Sequence, residues 1–194
     1  MSPDWIYFQA GLQHILNASA LDHILFLIAI CAVYRIRQWK TVAMLVTAFT
    51  AGHCLTLAIS VYFVPLFSAA TAELLIPLTI LGSSIANLIP GFSPESGKKR
   101  LLLYCITGTF GMIHGMGFAS NFLAMPLGED PLWKQLLLFN FGVEAGQLTV
   151  VAMILAVAWF SLDFLKIPLR IWTIGASVFT GVFSLFLLFR NEFW

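Results

Sequence analysis

Four histidines and a few acids stand in a chain that is otherwise overwhelmingly apolar. His14, the adjacent pair Asp22 and His23, His53, His114 and Glu144 all lie in or beside long hydrophobic runs. Imidazole nitrogen and carboxylate oxygen together make a ligand set suited to nickel, cobalt, zinc or iron(II), and poorly suited to copper(I). A charged side chain at the centre of a membrane helix costs roughly 2.5 to 3.5 kcal/mol on insertion scales, so each of these residues needs a reason to be there. Asp22 and His23 cannot point the same way on a helix. One is expected to be a ligand while the other orients a neighbour or caps the helix start.

The elements that must position these residues are membrane helices. Of 194 residues, 60% are hydrophobic and 10% charged, against about 25% charged in an ordinary soluble domain. The net charge is +1, and the basic residues punctuate the apolar runs without forming a nucleic-acid patch. Spanning a hydrocarbon layer of about 30 Å takes about 20 apolar residues. The sequence therefore predicts an all-α integral membrane protein, one transmembrane domain over residues 1–194, with about six spans near 19–34, 41–63, 72–89, 101–125, 133–160 and 168–189. Residues 3–16 are too short to cross and rich in aromatic residues, and read as a short interfacial or re-entrant N-terminal helix that stops near Asn17. Turns are expected around Pro65, from Pro90 to Arg100, and from Pro126 to Leu132 with Glu129 and Asp130.

Counted on alternate sides, Arg35, Arg37, Lys40, Lys98, Lys99, Arg100, Lys166 and Arg170 fall together, and Lys134 and Arg190 fall opposite. The positive-inside rule then puts both termini outside and the basic turns in the cytoplasm. Counted at ~1.5 Å per residue from the span ends, Asp22, His23, His53, His114 and Glu144 all come to ~17 to 20 Å depth. Helical phase adds polar stripes around them: Thr50, His53, Thr56 and Ser60; Thr107, Gly111, His114 and Asn121; Asn140, Glu144 and Gln147.

A single buried histidine is adequately explained as an interhelical hydrogen-bond donor, worth about 0.6 kcal/mol on average. Five ionisable groups at one level on four helices point instead to one metal site of His23, His53, His114, Glu144 and Asp22. Thr50, Asn140 and Gln147 would support it, the last two as partners of Glu144. His14 reads equally as a ligand at the mouth or as a solvated surface residue. The small-residue pairs Gly111/Gly115 and Gly142/Gly146 let helices approach closely. Packing within the chain is one use for them, and a homo-oligomer contact, above all through Gly142/Gly146, is the other. Cys31, Cys54 and Cys105 follow neither a disulfide nor a zinc pattern. No phosphate-cradling loop appears, which argues against nucleotide hydrolysis.

Four blocks together resemble the HupE/UreJ family of small bacterial membrane proteins. They are His14 with Leu21-Asp22-His23-Ile24-Leu25-Phe26, Thr47 to Leu57 around His53, His114 to Ala119, and Phe139 to Gln147 around Asn140 and Glu144. This chain departs from the family pattern in the spacing between His14 and the Asp-His pair, where Asn17-Ala18-Ser19-Ala20 intervenes. The resemblance implies a nickel or cobalt permease of the bacterial inner membrane, whose partners are the lipid bilayer and the ion itself.

The ligand set without the resemblance leaves zinc and iron open. It also leaves open a membrane-embedded metalloenzyme in which the metal activates a water for hydrolysis, with Asp22 or Glu144 as base. A proton relay or a heme-binding subunit is the reading without a divalent metal site.

Overall fold

The computed structural model describes residues 3–17, 20–63, 68–89, 97–125 and 130–190, and these are helical nearly throughout. The turns expected around Pro65, after Pro90 and from Pro126 to Glu129 lie largely outside the described residues. In chain order the helices are α1 (Pro3–Leu16), α2 (Leu21–Cys31), α3 (Trp39–Tyr62), α4 (Ala69–Leu88), α5 (Gly97–Leu123), α6 (Leu132–Trp159) and α7 (Leu169–Arg190). A 3₁₀ turn, Ile36–Gln38, leads into α3. A π-helical turn, Phe160–Phe164, ends the α6 rod.

Five helices among the described residues, α3 to α7, are long and apolar enough to cross a membrane. The sixth crossing differs from the single helix expected over 19–34. α2 has 11 residues, ~16 Å of rise, and cannot span alone. α1 and α2 pass the span criterion only as a pair, bent by 68°. α1 therefore has another partner than the lipid surface. Gly11 of α1 meets the Phe139 carbonyl of α6, and Gly142 of α6 meets the Phe8 carbonyl of α1. Tyr7 and Ile15 are fully buried, and Gly146 lies against the Ile15 side chain. The pairings advance together along both helices, so α1 runs alongside α6 in the same direction. Together α1 and α2 supply ~38 Å of helix measured around the 68° bend, which fits either a broken span or a re-entrant loop.

The other glycine pair is also used within the chain. Gly111 and Gly115 of α5 rest on the Phe49 and His53 carbonyls of α3, and Gly52 of α3 rests on the Gly108 carbonyl of α5. Any side chain at these positions would collide with backbone. A homo-oligomer contact through either Gly-xxx-Gly face is thereby corrected: α1 covers Gly142/Gly146, and α3 covers Gly111/Gly115.

On α7, Ser177, Thr180, Gly181 and Ser184 face α4, where Thr180 and Ser84 share a hydrogen bond of 2.7 Å. Ser184 donates to the Pro77 carbonyl at 2.5 Å. The opposite face presents Ile171, Val178, Val182, Phe186 and Phe189, as a lipid-facing helix should.

The starts of α1 and α6 are clamped together by polar groups. The Tyr7 hydroxyl donates to Asp130 at 2.9 Å, and Lys134 Nζ lies 2.6 Å from Asp4 and 3.2 Å from Asp130. The Tyr7 hydrogen bond first, and Lys134 second, hold the Asp130 carboxyl below the usual carboxylate range. Folding thus favours charged Asp130, so the clamp is at full strength near neutral pH and is lost as pH falls through and below about 4.

Two outcomes are expected of purified protein in detergent. Gly142→Val should lower stability by at least about 1 to 3 kcal/mol through overpacking against the Phe8 carbonyl, read as a fall in melting temperature. An acid-side loss of melting temperature below about pH 4 should be smaller in Asp130→Asn, which has no carboxylate there to protonate.

Candidate metal centre

The interrupted first span brings its polar residues to the break. His14 sits in the last turn of α1 and Asp22 in the first turn of α2. At a helix start, backbone amides have no intrahelical partner. Asp22 Oδ1 accepts from the His23 backbone amide at 2.9 Å and also lies 3.1 Å from His23 Nδ1. The neighbours that cannot share a helix face do meet, because the Asp22 carboxylate folds back over the helix start and holds the His23 ring.

The close α3–α5 contact sets the other two rings. Thr56 Oγ1 donates to the Met112 carbonyl at 2.7 Å and ties the helices together at the level of His53 and His114. The His23 ring is central, with its centroid 4.9 Å from His14, 5.1 Å from His114 and 6.1 Å from His53. One ring nitrogen from each of His14, His23 and His53 lies within 4.8 Å of the others. Three nitrogens bound to one ion at ~2.1 Å are ~3.0 to 3.4 Å apart, so closing on an ion takes at most about 1 Å of movement by each side chain.

In His23, His53 and His114 the second ring nitrogen explains why the first is free. His53 Nδ1 lies 3.3 Å from Asn140 Oδ1. Asn140 is locked in that sense because its own amide nitrogen donates to the Leu136 carbonyl at 2.8 Å. His114 Nδ1 donates to the Phe110 carbonyl at 2.8 Å. Carbonyls and carboxylates only accept, so the proton of His23, His53 and His114 belongs on Nδ1 and a lone pair is left on Nε2. The Nε2 atoms of His14, His23, His53 and His114 are all buried and without a hydrogen-bond partner. Buried polar atoms are nearly always paired, and four orphans of one kind around one ring are what a metal-ready centre looks like.

A cavity of about 780 Å³ leads to these rings. His14, His23 and His114 line it together with Asp22, Glu73 and Asn121. It lies at the end of the bundle where α1 and α4 begin and α5 ends, and reaches along α1 from Ile6 to His14. Glu73 is absent from the site expected from sequence, although it is the sole acid in its span and that signal was available. Phe118 stacks on His14 at 3.9 Å between centroids. Below the rings the way is closed by aromatic contacts: Phe26 to Phe49 at 4.9 Å, Phe49 to His114 at 4.9 Å and Phe26 to Phe110 at 5.9 Å. A separate, almost wholly apolar cavity of about 360 Å³ lies beyond Phe26 and Phe110.

The expected site is thus brought together in part. His23, His53 and His114 gather, with Asp22 on His23, and His14 joins them while also lining the open cavity. Glu144 is held elsewhere: its Oε1 accepts from Thr47 Oγ1 at 2.7 Å. Asn140, expected beside Glu144, serves His53, while Gln147 Oε1 lies 2.8 Å from Thr50 Oγ1. Glu144 is four residues beyond Asn140, ~6 Å further along α6. Depth counted from separate span ends cannot resolve one helical turn, and that turn separates the acid from the imidazoles.

Fold and site define a helical, multi-pass membrane protein with a buried imidazole cluster at the foot of a one-sided cavity. Residues 4–190 match the family described as HupE / UreJ protein. The chain belongs to that family. No curated protein and no solved structure matches it.

Asn140→Leu removes the acceptor that fixes the His53 proton while leaving all four imidazoles. Metal affinity is expected to fall about 10- to 100-fold, as for other lost partners of ligating histidines. Equilibrium dialysis of the purified protein with cobalt or nickel would read this.

Proposed function

We propose that this chain is a permease for a divalent transition metal ion, nickel or cobalt, which it admits through the bacterial inner membrane towards the cytoplasm. His14, His23, His53 and His114 bind the ion in transit, and Asp22 orients His23. The supporting observation is the set of four buried imidazole nitrogens without partners, gathered below a cavity that opens at one end of the bundle. Counting α1 and α2 as one broken crossing gives six, and the distribution of basic residues then puts both termini and the cavity mouth outside.

The chemistry follows from the donors. A hydrated dication entering the cavity meets Asp22 and Glu73, whose carboxylates offset the cost of leaving bulk water. Imidazoles then replace its water, with the Nδ1 atoms of His23, His53 and His114 held by fixed acceptors and their Nε2 atoms facing the ion. Imidazole suits nickel, cobalt, zinc and iron alike. The preference for nickel or cobalt is carried by the family. The membrane potential supplies about 2.3 kcal/mol per charge per 100 mV, hence about twice that for a dication moving inward.

Proteoliposomes containing the purified chain should accumulate nickel or cobalt, saturably and faster with the interior negative. His53→Ala and His114→Ala should each cut uptake at least tenfold while the protein still folds. A chain that keeps one tightly bound metal through purification yet passes none into liposomes would overturn the permease and favour a membrane-embedded metalloenzyme, in which the same ion activates a water.

A further inference from the structure

A second polar set lies on the α3–α6 seam, beyond the histidines as seen from the cavity mouth. On α3, His53, Thr50 and Thr47 follow one another at three-residue steps, each ~4.5 Å of rise. On α6, Asn140, Glu144 and Gln147 face them: Asn140 on His53, Gln147 on Thr50 and Glu144 on Thr47. Glu144 Oε2 and Gln147 Nε2 are buried without a partner, and Gln147 as a whole is fully buried.

The hydrogen bonds around Thr50 do not balance as drawn. Its hydroxyl lies 3.1 Å from the Val46 carbonyl and 2.8 Å from Gln147 Oε1, and both are acceptors. A hydroxyl has one hydrogen to give. Turning the Gln147 amide by half a rotation resolves this together with its unpaired nitrogen. Nε2 then donates one hydrogen to Thr50, and Thr50 donates its own to Val46. The Gln147 carbonyl oxygen and one amide hydrogen are left unpaired. That oxygen sits three residues from the free Glu144 oxygen, on the same face of α6.

Two buried oxygens without donors, one of them a carboxylate, make half of a hard cation site. The Thr47 and Thr50 hydroxyl oxygens lie against it. The apolar cavity past Phe26 and Phe110 offers a dication almost nothing, whereas this seam continues the polar path. Oxygen donors hold a transition-metal ion less tightly than four imidazoles, as a station on the way out requires.

We propose that Glu144 and Gln147, with Thr47 and Thr50, form a second, oxygen-donor binding site that receives the divalent cation from the imidazole cluster. The proposal rests on the permease reading and adds the route by which the ion leaves.

The test uses the full chain in detergent and in liposomes, with cobalt as probe because its visible spectrum distinguishes nitrogen from oxygen ligation. Wild type should bind one cobalt tightly and a second at least tenfold more weakly. Glu144→Gln, close in shape and still able to accept from Thr47, should keep the tight cobalt with its spectrum unchanged, lose the weak one, and take up metal at least tenfold more slowly. Gln147→Met should lose the weak cobalt as well, and serves if the first variant fails to fold. The proposal is overturned if Glu144→Gln keeps both ions, or transports like wild type. Loss of the tight cobalt in that folded variant overturns it too, since Glu144 would then belong to the imidazole site. Failure of the permease reading has a different signature: no tight cobalt in wild type, or none lost in His53→Ala.

Discussion

A helix interrupted in the middle of a membrane has to be held by protein, because lipid offers its backbone groups nothing to bond with. Here α1 ends at Leu16 and α2 begins at Leu21, and the holding element is α6. Gly11 and Gly142 bring the two backbones into contact, and the Asp4, Tyr7, Asp130 and Lys134 clamp fixes where α1 starts. With α1 located in this way, His14 arrives at the break from one side and His23 from the other. The cluster exists because α1 and α2 meet at a bend and α1 is braced against α6.

The same economy of small residues operates between α3 and α5. Gly52, Gly111 and Gly115 let those backbones touch, so His53 and His114 project into the space in front of the break. Apolar packing from Phe26, Phe49, Phe118 and Phe139 surrounds the rings away from the cavity and leaves the imidazoles as the available donors there. Unsatisfied polar atoms in such surroundings are costly. The cost is tolerated where a ligand can offset it, and the second nitrogens of His23, His53 and His114 are anchored so that the free ones cannot turn away to a backbone carbonyl.

This arrangement also separates two kinds of donor along one path. Nitrogen donors meet the open cavity, while the carboxylate of Glu144 lies a turn further in, tied to Thr47. An ion moving along the α3–α6 seam would pass from its preferred ligands to less preferred ones.

The sequence by itself determined what depends on composition and period: a membrane-embedded, all-helical chain, polar residues on inward stripes, and His23, His53 and His114 at a common depth. These follow because transfer cost and helix rise are local properties of each segment. It did not determine that residues 3–16 pack along α6, since a short aromatic helix has the same pattern at the lipid surface as against another helix. Nor could it tell whether Gly142 and Gly146 would meet a second copy or α1. Only the tertiary structure decided that His14 joins the cluster, that Glu73 lines the way in, that Asn140 serves His53, and that Glu144 sits a turn away. Each of those depends on how far one helix is shifted along another, and that shift is set by contacts between segments far apart in the chain, 87 residues for Asn140 and His53.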